Sequence, residues 1–272
     1  MEILDFLKRV CPERDAIVVT QYNNNKNMFW NREVFTYAEL DDAAANIALW
    51  DKNPEATIYY SVGAFADNIV TDEEGKTKIR RTQEKATYFK SLCFDLDCGG
   101  DKPYKTQNEG IIKLAEVVKE LGLPKPLIVS SGIGAHVYWV LEKCITKEQW
   151  VRISVALRLA LAEKGLEIDN SKIHDPSMVL RPVGTFHKKT SDWKEVKVLL
   201  DDGAEHDILL LAGKLAAWVD TTPERPVQPQ RRRSAMLDAI LGDGNDLDLD
   251  SIAEHCQQVR AIVESGGVTN AA

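Results

Sequence analysis

This sequence has no apolar run long enough to span a bilayer, so a membrane-spanning role is not expected. Its first residues, Met1-Glu2-Ile3-Leu4-Asp5, lack the basic n-region of a secretory signal, which points to a cytoplasmic protein. Its five cysteines (Cys11, Cys93, Cys98, Cys144 and Cys256) show no CxxC spacing, which argues against a disulfide framework and against a zinc site. It has no internal repeat. Positive charge is also short: 34 Lys and Arg face 42 Asp and Glu, and the net charge of −8 by itself counts against a nucleic-acid partner. The distribution counts for more than the sum. Between Arg181 and Lys197 the chain has Arg181, Lys188, Lys189, Lys194 and Lys197 against Asp192 and Glu195, so a basic surface can coexist with acidic helices elsewhere.

The 272 residues, 44% hydrophobic and 28% charged, suffice for one large or two intimate domains with an ordinary core. Ala16-Ile17-Val18-Val19-Thr20 reads as a strand. Thr36 and Glu39 form a capping box that opens a helix running to about Trp50. Thr57-Ile58-Tyr59-Tyr60 is a second strand, and residues 72–75 are a loop. A compact α/β unit follows. Residues 88–97 form a strand, and residues 98–103 a loop rich in Gly and Pro. Ile111, Leu114, Ala115, Val118 and Leu121 mark a helical stripe, which Pro124 and Pro126 close. Leu127-Ile128-Val129-Ser130 is a strand, and a glycine turn returns the chain into residues 136–141. Thr146 and Gln149 cap a helix running to about Lys164. Residues 195–200 are a late strand and residues 208–219 a final helix. Beyond Asp220 the composition changes: residues 221–250 read as a linker, and residues 251–272 as the start of a helical segment. The acidic run at 243–250 is no calcium loop, because its glycine comes too early and no Glu stands at the twelfth position.

Three stretches carry chemistry. Side chains alternate faces along a strand, so Asp95 and Asp97 point to one side, and Phe94 and Leu96 to the core. Two carboxylates this close repel each other unless a cation lies between them, and hard oxygen ligands suit Mg²⁺ or Mn²⁺. The plainer alternative is a solvated strand end. In the second stretch, Ser130-Ser131-Gly132-Ile133-Gly134, glycines allow a tight turn whose N–H groups can meet phosphate oxygens. His136 opens the return strand, with Tyr138 on its face and Val137 and Trp139 on the other; the plainer alternative is an ordinary hairpin turn. The third stretch offers two carboxylates, Asp169 and Asp175. Asp175 precedes Pro176 and suits a cap, whereas Asp169 follows the apolar Ile168 and is expected on a strand as a metal ligand. Arg181 can supply a fixed fork to phosphate, and His187-Lys188-Lys189 follows. Together these residues equip the chain for metal-assisted nucleotidyl transfer, in which divalent ions clamp the attacking and leaving oxygens. Tyr138 and Phe186 are the candidates to stand against a ribose 2′-hydroxyl.

Taken in order, the three stretches resemble the catalytic motifs of the archaeo-eukaryotic primase superfamily. The first is a hydrophobic strand with acid-x-acid, here Asp95 and Asp97. The second is Ser-x-His-like with glycines between, here Ser130 and Ser131 to His136. The third is a hydrophobic-Asp at Asp169, followed by a basic residue and a His/Lys cluster. The phrase Val179-Leu180-Arg181-Pro182-Val183-Gly184-Thr185-Phe186-His187-Lys188 looks like the phage and plasmid primase-polymerase version, with His187 where Asn is usual. The resemblance covers roughly residues 1–220. It implies an α/β (α+β) fold: an N-terminal α/β module packed on a modified RRM-like module, with the active site in the cleft between them. It implies that Asp95, Asp97 and Asp169 are catalytic and bind two Mg²⁺ or Mn²⁺ ions, with Asp175 the second choice for the third ligand. Ser130, Ser131, Gly132, Gly134, His136, Arg181, His187 and Lys188 would hold a nucleoside triphosphate. The implied activity is that of a phage- or plasmid-encoded DNA primase/polymerase, acting in the host cytoplasm. It would make and extend primers on single-stranded DNA, with a helicase fused or associated C-terminally. The alternatives are a metal-dependent nuclease, which needs no triphosphate pocket, and an inactive single-stranded-DNA-binding module.

Overall fold

The computed structural model describes residues 1–66, 69–71, 77–169, 172–190 and 192–219. All of them fall within one compact unit, Met1–Thr222. The expected linker and C-terminal helical segment, the loop at 72–75, the acidic run at 243–250 and Cys256 lie outside the described residues.

The chain runs α1 (Ile3–Val10), β1 (Ala16–Asn23), β2 (Met28–Thr36), α2 (Leu40–Trp50), β3 (Ala56–Ser61) and β4 (Gly63–Phe65). A short antiparallel pair follows, β5 (Ile69–Thr71) and β6 (Thr77–Ile79). The second half runs β7 (Ala86–Leu96), α3 (Gln107–Glu120), β8 (Leu127–Ser130), β9 (Ala135–Thr146) and α4 (Lys147–Glu163). It ends in β10 (Val179–Leu180), β11 (Phe186–His187), β12 (Lys194–Glu195), β13 (Lys197–Leu200), α5 (Ile208–Lys214) and α6 (Ala216–Val219).

Among the described residues, nine strands make one sheet in the order β10, β3, β1, β4, β7, β9, β8, β13, with β2 added on β1. Every pairing is antiparallel. β4 is the junction: it pairs with β1 through Ala16 and Phe65, and with β7 through Gly63 and Phe89. At the step between β3 and β4, the Ser61 hydroxyl replaces ladder bonds. It accepts from the Val18 N–H at 2.9 Å and donates to the Gly63 carbonyl at 2.8 Å.

The central strands are buried on both faces, which their near-continuous apolar composition demands. Behind β7 and β9, Phe94 packs on Trp139 at 6.1 Å, and the Trp139 indole donates to the Pro124 carbonyl at 2.8 Å. α4 opens with the expected capping box, and its Trp150 stacks on Phe89 at 4.2 Å. On the other face, α1 bridges the two halves of the sheet. Its Phe6 meets Tyr60 and Tyr138 edge-on at 5.6 and 5.9 Å, and the Tyr60 hydroxyl donates to that of Tyr138 at 3.2 Å. No described helix is long and apolar enough to cross a membrane.

The structure differs from the sequence reading in several places. α1, β2, β4, β5, β6, β10 and β11 are additional elements. The buried stripe of α3 is Gly110, Leu114, Val117 and Val118, and Ala115 is exposed. The late strand is two strands, because Val196 exchanges backbone bonds of 2.8 Å with Gly184 and Thr185 while β13 pairs with β8. The final helix is also two helices. The Leu215 N–H bonds to both the Leu211 and Ala212 carbonyls and closes α5 before α6 begins.

Candidate active site

Asp95 is the last residue but one of β7, and His136 is the second of β9. The ladder register sets them directly opposite each other. Asp97 follows the end of β7. Asp95, Asp97, Ser131, His136, Arg181 and His187 face one cleft of about 600 Å³. Tyr22, Phe29 and Tyr59, from the first strands of the sheet, line the same cleft.

Charge is concentrated here. Burial, reinforced by the nearby Asp97 charge, pushes the Asp95 carboxyl up to about 6; Arg181, Lys172 and Lys102 oppose the rise. Asp95 Oδ1 has no hydrogen-bond partner among the described residues, and lies 3.9 Å from His136 Nε2. Asp97 accepts from Lys102 Nζ at 2.8 Å. Asp97, with smaller contributions from Asp169 and Asp95, lifts the Lys102 pKa. His136 is only 1% exposed, and burial together with the Arg181 charge lowers its pKa to about 3, so the ring is neutral. Burial and Arg181 act likewise on His187, which falls to about 4. The Arg181 guanidinium lies 5.3 Å from the Tyr59 ring centre and donates to the Tyr59 hydroxyl at 3.4 Å.

The turn between β8 and β9 is docked on both of its neighbours. Gly132 has φ +103°, and a Cβ there would come within 2.5 Å of His187 Cβ. A Cβ at Gly134 would come within 2.3 Å of the Leu96 carbonyl oxygen. Gln107, at the start of α3, ties the turn down: its amide donates to Ser130 Oγ at 2.9 Å and to the Gly134 carbonyl at 2.6 Å. Ser130 Oγ also accepts from the Gly132 N–H at 3.3 Å. The Ser130 hydroxyl therefore serves the turn, while Ser131 faces the cleft.

No protein-family model and no curated protein matches the sequence. Solved structures do. Primase RepB' is similar with a TM-score of 0.53 at 12% identity, over 98% of this chain and 81% of that one. The catalytic domain of primase RepB' in complex with initiator DNA gives a TM-score of 0.50 at 11% identity, over 83% of this chain and 100% of that one. The AEP domain of the Cyanophage S-2L primase-polymerase (PrimPol) gives 0.48 at 18% identity, over 74% of this chain and 89% of that one. The first two carry the assignment. The chain has the fold of primase RepB' and of its catalytic domain.

Within this RepB'-like fold, four residues sit otherwise than the sequence reading has them. Asp169 is in the loop after α4, not on a strand, and its carboxylate pairs with Lys172 at 3.1 Å. Ile168 packs on the core from that loop, which gives the segment its strand-like look. Among the described residues, no three His, Cys, Asp or Glu side chains gather closely enough for a metal ion, so Asp169 is not closed onto Asp95 and Asp97. Lys188 is turned away from the cleft. Its ammonium is buried against α2's C-terminal end, on Asp51 Oδ1 at 2.8 Å, the Asp51 carbonyl and the Asn53 carbonyl at 3.2 Å. Alternation puts His187 and Lys189 toward the cleft, and Phe186 and Lys188 on the other side. Tyr138 is fully buried under Phe6 and cannot meet a ribose, and Phe186 is not on the cleft wall.

Asp175 lines the cleft, but its Oδ1 accepts from Ser177 N at 2.8 Å, Ser177 Oγ at 2.7 Å and Gln83 Nε2 at 3.0 Å, which makes it a turn residue. The sequence reading missed Lys102, Lys172 and the three rings as cleft residues, and Gln107 as its brace; it placed Lys189 in the basic cluster but not among the nucleotide-binding residues. A Lys within five residues of an Asp-x-Asp strand end is a usable signal; the rings, scattered over three strands, leave none.

Proposed function

We propose that this cleft performs template-directed nucleotidyl transfer, as a DNA primase-polymerase that extends primers on single-stranded DNA from nucleoside triphosphates. One observation carries the reading: Asp95 and His136 are register partners on neighbouring strands, with Asp97 and Arg181 facing the same space. The fold is consistent with it, and one of the similar structures holds initiator DNA.

The donor set fits a hard divalent cation. Asp95 Oδ1 lacks a hydrogen bond among the described residues, and burial together with the Asp97 charge raises the Asp95 pKa. Lys102 supplies a positive charge directly on Asp97. Mg²⁺ commonly takes one or two protein carboxylates and completes its shell with phosphate oxygens and water, so the pair suffices without a third protein ligand. When bound, Mg²⁺ or Mn²⁺ would neutralise the triphosphate and departing pyrophosphate and acidify the primer 3′-hydroxyl.

The chain does the positioning. Asp95 and Asp97 hold the cation side of the site. Arg181 presents a planar fork to a phosphate. The Ser131–Gly134 turn offers backbone donors beside it. His136, neutral and edge-on to Tyr138 at 6.3 Å, keeps one ring N–H to donate to a phosphate oxygen. Lys102 can exchange Asp97 for the triphosphate when a cation takes its place.

Incubation with a primed template, nucleoside triphosphates and Mg²⁺ or Mn²⁺ tests the reading. Incorporation by the wild type and its loss in Asp95→Ala/Asp97→Ala are expected. Cleavage of the DNA in place of extension would make the protein a nuclease, and binding without either reaction would make it an inert module.

A further inference from the structure

Another part of the cleft takes no part in that chemistry. Tyr22 on β1, Phe29 on β2 and Tyr59 on β3 stand on one face of three adjacent antiparallel strands. The register puts Phe29 opposite Tyr22, and puts Tyr59 opposite Thr20, one diagonal step away. Ring centres lie 5.1 Å apart for Tyr22 and Phe29, and 6.3 Å apart for Tyr22 and Tyr59, each pair edge-to-face, so the three rings turn their faces in different directions along the row. Such a row on a sheet ordinarily belongs to a core. Here all three rings line the open cleft, with Tyr22 and Tyr59 half-buried and Phe29 38% exposed.

Each ring also carries a cation. Arg32 lies 5.0 Å from the centre of Phe29, Lys189 5.9 Å from Tyr22, and Arg181 5.3 Å from Tyr59. The three cations come from three separate segments: β2 itself, the residues after β11 and the residue after β10. Packing of the sheet does not require this convergence of positive charge on solvent-facing rings.

We propose that the row Tyr59–Tyr22–Phe29 is the track for the single-stranded DNA template, with the rings packing against its bases and Lys189 and Arg32 meeting its phosphates. The inference rests on the primase-polymerase reading of the cleft. Stacking on aromatic faces tolerates any sequence, as copying a template requires, and the cations follow the backbone. Three rings stepped by 6.3 and 5.1 Å outrun one base, which favours a strand over the base of a lone nucleoside triphosphate. The row begins beside the chemistry: Arg181 packs on Tyr59 while its charge acts on Asp95 and His136. A net charge of −8 is no obstacle when the cations are placed where the strand runs.

Fluorescence anisotropy of the full chain with labelled oligo-dT, without divalent ions or nucleotides, tests the track. Tyr22→Ala/Phe29→Ala should weaken binding about tenfold or more, and Tyr22→Trp/Phe29→Trp should restore it. Phe29→Ala alone removes a part-exposed ring from an edge strand, so it should melt like the wild type and still lose several-fold. Nucleoside triphosphate affinity, measured by calorimetry, should change less than twofold. Unchanged oligonucleotide affinity in the folded Phe29→Ala and double variants would overturn the track. Lost triphosphate affinity with intact oligonucleotide binding would overturn it too, and give the row to the incoming base. The two readings fail separately. A wild type that extends primers while the variants bind oligo-dT normally refutes the track alone. A wild type that binds oligo-dT through the rings but incorporates nothing refutes the catalysis alone.

Discussion

The two walls of the cleft are built by opposite means. The wall on β7 and β9 fixes its groups: Asp95 and His136 sit on paired central strands, with Phe94, Leu96 and Val137 buried behind them. The wall on β1, β2 and β3 presents rings to solvent and borrows two of its three cations, Lys189 and Arg181, from other segments. The first wall holds the Asp95 carboxyl at a raised pKa beside Asp97, an arrangement with an energetic cost that a cation or a proton relieves. The second has no such strain. Bond-making needs groups fixed to a fraction of an ångström, whereas holding a strand of any sequence needs broad, adaptable contact.

The sharpest way to separate the walls is to remove the carboxylates. Asp95→Ala/Asp97→Ala should lower incorporation by on the order of a thousandfold, because the cation has no other anchor. Oligo-dT binding should hold or tighten as two negative charges leave the cleft. Without divalent ions, the melting temperature should stay level or rise. Joint loss of extension and oligonucleotide binding, read in the same preparation, would show that the walls do not act separately.

Lys188 looks like a ligand-binding lysine in sequence and behaves as a structural one. Its side chain is fully buried and that of Asp51 is 9% exposed, and burial raises the Asp51 pKa although Lys188 opposes the rise. Lys188→Ala leaves a carboxylate buried without its partner, which costs about 3–5 kcal/mol. Denaturant unfolding should show that loss, and Lys188→Met with Asp51→Leu should recover most of it. In the folded fraction of Lys188→Ala, the KM for nucleotide should match the wild type. A raised KM at wild-type stability would return Lys188 to the triphosphate.

Acidity tests the carboxylate wall alone. A proton competes with a cation for Asp95, so metal affinity should fall about tenfold per unit below pH 6. In the metal-free protein, a pKa raised from 3.8 to about 6 contributes stability that is full below pH 4 and lost as pH rises through 6. His136 acts oppositely. With its pKa lowered from 6.5 to about 3, its contribution is full above pH 6.5 and lost as pH falls toward 3. Asp95→Asn removes only the first effect. It should raise the melting temperature at pH 7 and leave it unchanged at pH 4, and oligo-dT binding should show neither trend.

The same contrast explains what could be read in the sequence. The carboxylate wall is legible because alternation along one strand sets Asp95 and Asp97 on a common face, and the apolar run at β8 and β9 frames the glycine turn. The aromatic wall is not, because its rings come from three strands whose register no local pattern reveals. β2 is an edge strand with polar residues Asn31, Arg32 and Glu33 in its middle, which hides its period. α1 carries a plain helical spacing in Ile3, Phe6, Leu7 and Val10, a pattern that the sequence alone displays. Asp169 misleads for a physical reason: a loop residue such as Ile168 can pack on the core as a strand residue does.

The smallest expected effect decides between the two remaining carboxylates. Asp175 Oδ1 accepts three hydrogen bonds, two from Ser177 and one from Gln83. An Asn carbonyl can accept the same three, so Asp175→Asn should shift stability by no more than about 0.5 kcal/mol and incorporation by about twofold. Asp169 bears on the chemistry through charge: it pairs with Lys172 at 3.1 Å and helps raise the pKa of Lys102, the lysine seated on Asp97. Asp169→Asn should therefore leave Lys102 and Lys172 less firmly held away from Asp95 and Asp97, so that they compete harder with a cation. Calorimetry with Mn²⁺ should show several-fold weaker binding, and extension should slow in proportion. The reverse ranking, with Asp175→Asn the more damaging, would make Asp175, in the turn before β10, a third carboxylate that joins Asp95 and Asp97.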